Sequence, residues 1–92
     1  MYLEIVSPEA VLFSSEVSSI YVPGTNGEFE MLNNHAPIVS TLKSGFIEVK
    51  SNASINKEDL SNKFSVNGNS YSLEISSGTL ELKDNKAIIL VD

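Results

Sequence analysis

The stretch Gly24-Thr25-Asn26-Gly27-Glu28-Phe29-Glu30-Met31-Leu32-Asn33-Asn34-His35-Ala36-Pro37 decides how this chain is interpreted. Its two glycines, three residues apart, permit positive φ angles, so the backbone can turn tightly directly after Pro23. The segment from Glu28 to Leu32 has the composition of a short strand, and Asn33-Asn34 tolerates a left-handed turn. The stretch is therefore predicted to be a shaped loop held between strands, which is a common position for a binding surface.

Short strands are predicted on both sides of this stretch. Residues 2–6 alternate apolar and polar side chains, and residues 17–22 form a second predicted strand that ends at Pro23-Gly24. The short apolar run Val11-Leu12-Phe13 is interpreted as core, with an exposed interface as the alternative. Further strands are predicted over residues 38–42, 46–50, 71–75, 79–83 and 87–91.

Turn residues separate the later strands. Asn67-Gly68 lies between two alternating runs and suits a type I′ turn, and Asp84-Asn85 is a second tight-turn pair. Residues 87–91 are continuously apolar, which predicts a strand covered on both faces. Residues 51–63 are polar and aperiodic, although Asn56 could cap a single helical turn that reaches Leu60.

The spacing of these strands predicts an all-β fold, a flattened antiparallel β-sandwich or barrel of two sheets. No segment has convincing helical periodicity, and consecutive hairpins favour antiparallel pairing with one face of the sheet buried. The chain has 92 residues, of which 41% are hydrophobic. A single domain over residues 1–92 is therefore expected.

Composition excludes several classes of function. The net charge of −6 disfavours nucleic-acid binding, which needs clustered Lys and Arg, and fits a basic protein partner better. The chain has no cysteine, so neither a disulfide nor a thiolate metal site is expected. It has no run of about 18 apolar residues, so direct membrane insertion is not expected.

The chemistry-bearing residues do not form a recognisable active site. His35 is the only histidine, so neither a metal site nor a catalytic site is predicted, and the ring is expected to bond nearby backbone. Glu28 and Glu30 share one face of an extended strand, either as an acid/base pair or, more commonly, as a solvated face. The glycine-rich turn lacks the Lys-Ser/Thr and the following helix of a phosphate-binding loop, so no nucleotide or other cofactor is predicted.

The order of these motifs resembles the ε subunit of F-type ATP synthases, which is called δ in mitochondria. That family carries a Gly-Glu-apolar segment, a His-Ala-Pro segment and a Lys-containing exit that ends in Gly. The corresponding residues here are Gly27-Glu28-Phe29, His35-Ala36-Pro37 and Lys43-Ser44-Gly45. Residues 3–14 and 76–92 are also similar to family segments, so the resemblance covers nearly the whole chain.

The resemblance implies a non-catalytic central-stalk subunit that joins the γ subunit to the membrane-embedded c-ring and couples proton translocation to ATP synthesis. It implies a peripheral position at the cytoplasmic face of the bacterial inner or cell membrane. It supplies a third interpretation of Glu28, as an acidic contact with a c-ring loop. The neighbouring residues assigned to that edge are Asn26, Gly27 and Phe29, and the residues assigned to contacts with γ are His35, Ala36, Pro37 and Ser40.

The chain departs from the family pattern in three places. Most bacterial members continue past the equivalent of Val91-Asp92 into a two-helix domain, so the inhibitory or ATP-sensing role of that domain is not expected here. Residues 51–70 form a longer segment than usual, which implies an extended hairpin or loop insertion. Glu30 and Asn33-Asn34 replace the small or Pro-Gly residues that are common in the turn.

The alternative interpretation is a free-standing β-sandwich module that binds a small ligand such as a carbohydrate. Such a module would present a cleft lined by exposed aromatic side chains. Only 8% of the residues are aromatic and there is no tryptophan, which favours the rotor subunit.

Overall fold

The computed structural model describes residues 1–53, 55 and 60–92. Within these ranges the chain forms ten strands and no helix, which confirms the predicted all-β class. The strands are β1 Tyr2–Val6, β2 Val11–Glu16, β3 Ser19–Gly24, β4 Gly27–Leu32, β5 Ile38–Leu42, β6 Gly45–Lys50, β7 Ser65–Asn67, β8 Ser70–Ile75, β9 Gly78–Lys83 and β10 Lys86–Val91.

The strands form one curled sheet with two halves. The terminal half, which holds both chain ends, has the strand order β2-β1-β10-β9-β5, and the central half consists of β3, β4, β6, β8 and β7. The pairing of Gly24 with Leu42 joins β3 to β5. The curled sheet encloses one hydrophobic core to which both halves contribute. The ring of Phe13 in β2, for example, lies 5.6 Å from Phe64 and 6.0 Å from Tyr71 between centroids.

One pair of strands departs from the predicted antiparallel arrangement. β1 and β10 run parallel, with Leu3 opposite Ala87 and Ile5 opposite Ile89. A parallel pair needs a long connection, because the chain must return to the same end of the sheet. The eight strands between β1 and β10 provide that connection and bring the two terminal strands together.

Two strands extend beyond their predicted limits. Leu12 and Phe13 are buried as expected, but the prediction of core is wrong for Val11, which is 56% exposed. All three belong to β2, which continues through three polar residues to Glu16. β3 does not end before Pro23, because Pro23 is itself buried within the strand and its carbonyl accepts the N–H of Lys43 at 2.9 Å. Proline is tolerated in a strand where its missing N–H is not needed for the ladder.

The two predicted turns have different outcomes. Asp84 and Asn85 both have positive φ, 53° and 61°, which is the backbone of a type I′ turn. The type I′ turn at Asn67-Gly68 is wrong by one residue: Asn67 pairs with Ser70, so Gly68-Asn69 forms the loop. Gly68 has a φ of 62°, whereas Asn69 does not have a positive φ, and this is the type II′ pattern.

The prediction for the last strand is also wrong. Ala87, Ile89 and Val91 of β10 are buried, but Leu90 is 53% exposed and Ile88 is only half-buried. The described strands curl around a single interior, so no second layer from the described part of the chain covers the outer side chains of β10. Half of the apolar run therefore forms part of the surface.

Part of the expected insertion over residues 51–70 lies outside the described residues. The helical turn predicted from Asn56 falls there, except for Leu60, which forms an isolated β-bridge with Phe13. Among the residues that are described, no helix is long and apolar enough to cross a membrane.

Candidate functional site

The stretch from Gly24 to Pro37 begins at the tip of a tight hairpin. β3 and β4 pair from Ser19–Leu32 to Gly24–Gly27, so Thr25-Asn26 alone forms the tip. Gly27 has a φ of 129°, which favours glycine. Gly24 is needed for space, because a Cβ at that position would lie 2.6 Å from the carbonyl oxygen of Gly27 and 2.9 Å from Cε1 of Phe29.

Strand β5 holds this tip in place. The N–H of Thr25 donates to the carbonyl of Thr41 at 3.0 Å, and the hydroxyls of the two threonines lie 2.8 Å apart. The tip is thus attached to both halves of the sheet rather than projecting freely.

The hairpin brings together three of the four residues predicted for the c-ring edge. Asn26, Gly27 and Glu28 are adjacent and exposed at or next to the tip. Phe29 is different: it pairs with the buried Val22, is half-buried and packs against the core. Its ring supports the tip from inside instead of presenting a surface.

The two acidic residues of β4 lie on the outer face of the central half. Tyr21 of β3 stands opposite Glu30 on one side and opposite Glu48 of β6 on the other. The pKa of Tyr21 is raised above its ordinary value. The largest causes are partial loss of solvent and the charge of Glu28, followed by smaller effects of Glu48 and Glu30. Three carboxylates therefore create a negative surface around one half-buried ring.

His35 lies in the turn that follows β4. Asn34 adopts a left-handed φ of 64°, and the N–H of His35 donates to the carbonyl of Leu32 at 3.1 Å. The ring Nδ1 lies 2.7 Å from the carbonyl oxygen of Ala36, so the ring bonds nearby backbone as predicted. Within the described residues, no group of three or more His, Cys, Asp or Glu side chains is arranged to hold a metal ion.

The residues predicted for contacts with γ are only partly brought together. His35, Ala36 and Pro37 are consecutive in the turn, with Ala36 and Pro37 exposed. Ser40 of β5 stands opposite the buried Leu80, is half-buried and donates to the carbonyl of Thr41 at 3.0 Å. The outward position in this strand belongs to its neighbour Val39, which is 77% exposed.

Sequence reasoning missed the surface to which Val39 belongs. Val39 of β5 and Ile88 of β10 both stand opposite Glu81 of β9, and Leu90 follows on the same face of β10. We call Val39, Ile88 and Leu90 the apolar patch. Two depressions of about 270 Å³ each lie on either side of Val39. The apolar run 87–91 carried the signal for this surface, but it was interpreted as burial on both faces.

Comparison with known proteins gives a consistent result across the chain. The family model described as "ATP synthase, Delta/Epsilon chain, beta-sandwich domain" matches residues 1–92. An ATP synthase epsilon chain of Leptospira borgpetersenii is 37% identical over 90 residues, which are 98% of this chain and 59% of that protein. The corresponding protein of Campylobacter fetus is 34% identical over 92 residues, 100% of this chain and 60% of its own length. The chain thus spans about three-fifths of the length of these relatives.

Solved structures show the same fold at low sequence identity. A chain in the central stalk/c-ring structure of Tetrahymena thermophila mitochondrial ATP synthase superimposes with a TM-score of 0.76 at 15% identity, covering 99% of this chain and 62% of that one. A chain of the Euglena gracilis mitochondrial ATP synthase gives a TM-score of 0.73 at 21% identity, covering 97% and 48%.

Proposed function

Because this chain belongs to the family of ATP synthase delta/epsilon chain β-sandwich domains, we propose that it is a non-catalytic rotor subunit of an F-type ATP synthase. In this role it joins the γ subunit to the c-ring and couples proton translocation to ATP synthesis. It acts as a peripheral subunit of the complex at the cytoplasmic face of the bacterial inner or cell membrane. The observation that carries this proposal is the family match over residues 1–92.

The hairpin tip is proposed to contact the polar loops of the c-ring. Asn26, Gly27 and Glu28 supply the exposed surface, and Phe29 supports them from the core. A carboxylate on a fixed tip gives a directional contact. Such a pair contributes about 0.2–1 kcal/mol if it stays exposed, and losing one partner costs about 2–5 kcal/mol if it is desolvated.

The turn after β4 and the apolar patch are proposed to form the surface for γ. His35, Ala36 and Pro37 lead directly into β5, where Val39 is outward and Ser40 lies beside it with its side chain turned inward. Exposed apolar side chains that cluster on one face often mark protein interfaces, because covering them is favourable. Glu81 of β9 stands between Val39 and Ile88 within this cluster. We therefore assign the outward contact in this strand to Val39 and a supporting position to Ser40.

The proposal is tested by retention of the purified chain on an assembly of γ and the c-ring. We expect the wild-type chain to be retained and the Glu28→Lys variant to be retained less well. Glu9→Lys is the matched control, since Glu9 is also exposed but lies between β1 and β2 in the terminal half. An assembly that retains an epsilon chain of a relative but not this chain, under the same conditions, would refute the proposed role.

A further inference from the structure

A groove of about 520 Å³ crosses the outer face of the central half. It is lined by Tyr21, Glu28, Gly45, Phe46, Glu48 and Ser72. Two aromatic rings thus share one surface depression with two carboxylates. Phe46 is 52% exposed, although a large apolar side chain gains from being covered.

The strand register explains why these side chains converge. Tyr21 of β3 stands opposite Glu48 of β6, and Phe46 lies two residues before Glu48, so it points to the same face. Phe46 is therefore a diagonal neighbour of Tyr21, at a spacing of about 7–8 Å that long side chains can bridge. A flat side chain entering the groove can contact both rings.

Within the described residues, no ion pair neutralises the carboxylates around the groove. Glu28, Glu30 and Glu48 are all exposed, and the one ion pair found among the described residues lies elsewhere, between the amino group of Met1 and Glu16. Lys50, at the end of β6, is the one basic residue in β3, β4 and β6. Partial loss of solvent, and then the charges of Glu28, Glu48 and Glu30, raise the pKa of Tyr21.

We propose that the groove binds an arginine side chain from a partner protein. A guanidinium group is planar and weakly hydrated, so it can stack on Tyr21 and Phe46 while its N–H groups donate to Glu28 and Glu48. Its methylene stem covers the exposed part of Phe46. Charge complementarity selects this occupant over a neutral sugar, which would leave the carboxylates without a counter-charge.

This inference goes beyond the rotor role. The rotor role assigns nothing to Tyr21, Phe46 or Glu48, and the two surfaces share only Glu28. The groove extends the acidic surface from the hairpin tip across three strands.

The test uses the full chain and the blocked peptide acetyl-Gly-Gly-Arg-Gly-Gly-amide, with binding followed by two-dimensional NMR. We expect weak, millimolar binding, with shift changes concentrated at Tyr21, Phe46 and Glu48. Phe46→Ala should weaken binding about two- to fivefold, the value of one exposed cation–π contact. Phe46→Leu should weaken it similarly while keeping an apolar side chain, which separates loss of the ring from any change in folding.

Matched variants and probes make the outcome decisive. Glu48→Gln should weaken binding, whereas Glu81→Gln, the same change at an exposed position of the terminal half, should not. A peptide with citrulline in place of arginine should bind more weakly. Equal binding of the citrulline peptide or of maltose, or an unchanged affinity in Phe46→Ala, would overturn the proposal.

The two proposals fail in distinguishable ways. If the γ–c-ring assembly does not retain the chain but the arginine peptide still binds the groove, the rotor role fails and the groove stands. If the chain is retained but the peptide shifts no resonance of Tyr21 or Phe46, the groove proposal fails and the rotor role stands.

Discussion

Shortening Val39 to alanine tests the proposed γ surface with little disturbance of the fold. Val39 is 77% exposed on the β5 side of the apolar patch, so the folded chain loses few contacts when the side chain is truncated. The lower strand propensity of alanine and the surface position together limit the loss in the free energy of unfolding to less than about 1 kcal/mol. We therefore expect Val39→Ala to weaken binding to the stalk much more than it weakens the fold.

The size of the binding effect follows from the area that docking can cover. Valine to alanine removes two carbon atoms, each contributing about 0.8 kcal/mol when fully buried. Since 77% of the side chain is exposed beforehand, docking can bury only that fraction. The expected loss is about 1.2 kcal/mol, which raises Kd about sevenfold.

The assay is the Kd of the soluble chain for an immobilised γ–c-ring assembly, with urea unfolding of each variant measured in parallel. Val66→Ala is the matched control, because Val66 is also an exposed valine, at 55%, but lies on β7 in the central half. Its Kd should equal that of the wild type. The reasoning is refuted if Val39→Ala binds as tightly as the wild type, or if the two variants lose affinity equally.

Three further substitutions test the hairpin and its acidic surface. Gly24→Ala should lower stability by about 1–3 kcal/mol, because the new methyl group meets the carbonyl of Gly27; an unchanged thermal midpoint would contradict this. Glu28→Gln should bring the pKa of Tyr21 closer to 10.0 in an NMR titration. Since the folded-state pKa is raised, the wild type should lose stability as pH rises above 10.0, and the variant should lose less; equal losses would count against the charge effect. Thr41→Val removes the hydroxyl contact with Thr25 and should speed amide exchange at the tip, whereas equal exchange would show that the backbone bond suffices.

Strands with regular alternation could be predicted from the sequence. In β1 and β6 apolar residues occupy every second position on the buried face, where Leu3, Ile5, Ile47 and Val49 are all fully buried. Alternation reports directly which face meets the core, because successive side chains of a strand point to opposite faces. The left-handed turn at Asn34 was also predictable, since asparagine tolerates positive φ through local bonding.

The surfaces were harder to predict than the core. A continuous apolar run has the same composition whether a second layer of the fold covers it or its outer half remains at the surface, so Ile88 and Leu90 were misassigned. Val39 was missed for a related reason. The resemblance to the family indicates only which segment contacts a partner, whereas strand register decides that Val39, and not Ser40, faces outward. Register depends on the pairing of β5 with β9, which is a tertiary feature.

Strand β5 links the two proposed partner surfaces directly. Val39 and Thr41 share its outer face, and two residues of strand span only about 7 Å. Val39 belongs to the apolar patch, whereas Thr41 holds the hairpin tip through Thr25. Ladder bonds to β9 run along the whole of β5. A load applied at the hairpin tip would therefore reach the apolar patch through a paired, extended backbone and not through a loop, which is the property that the proposed rotor role requires of this strand.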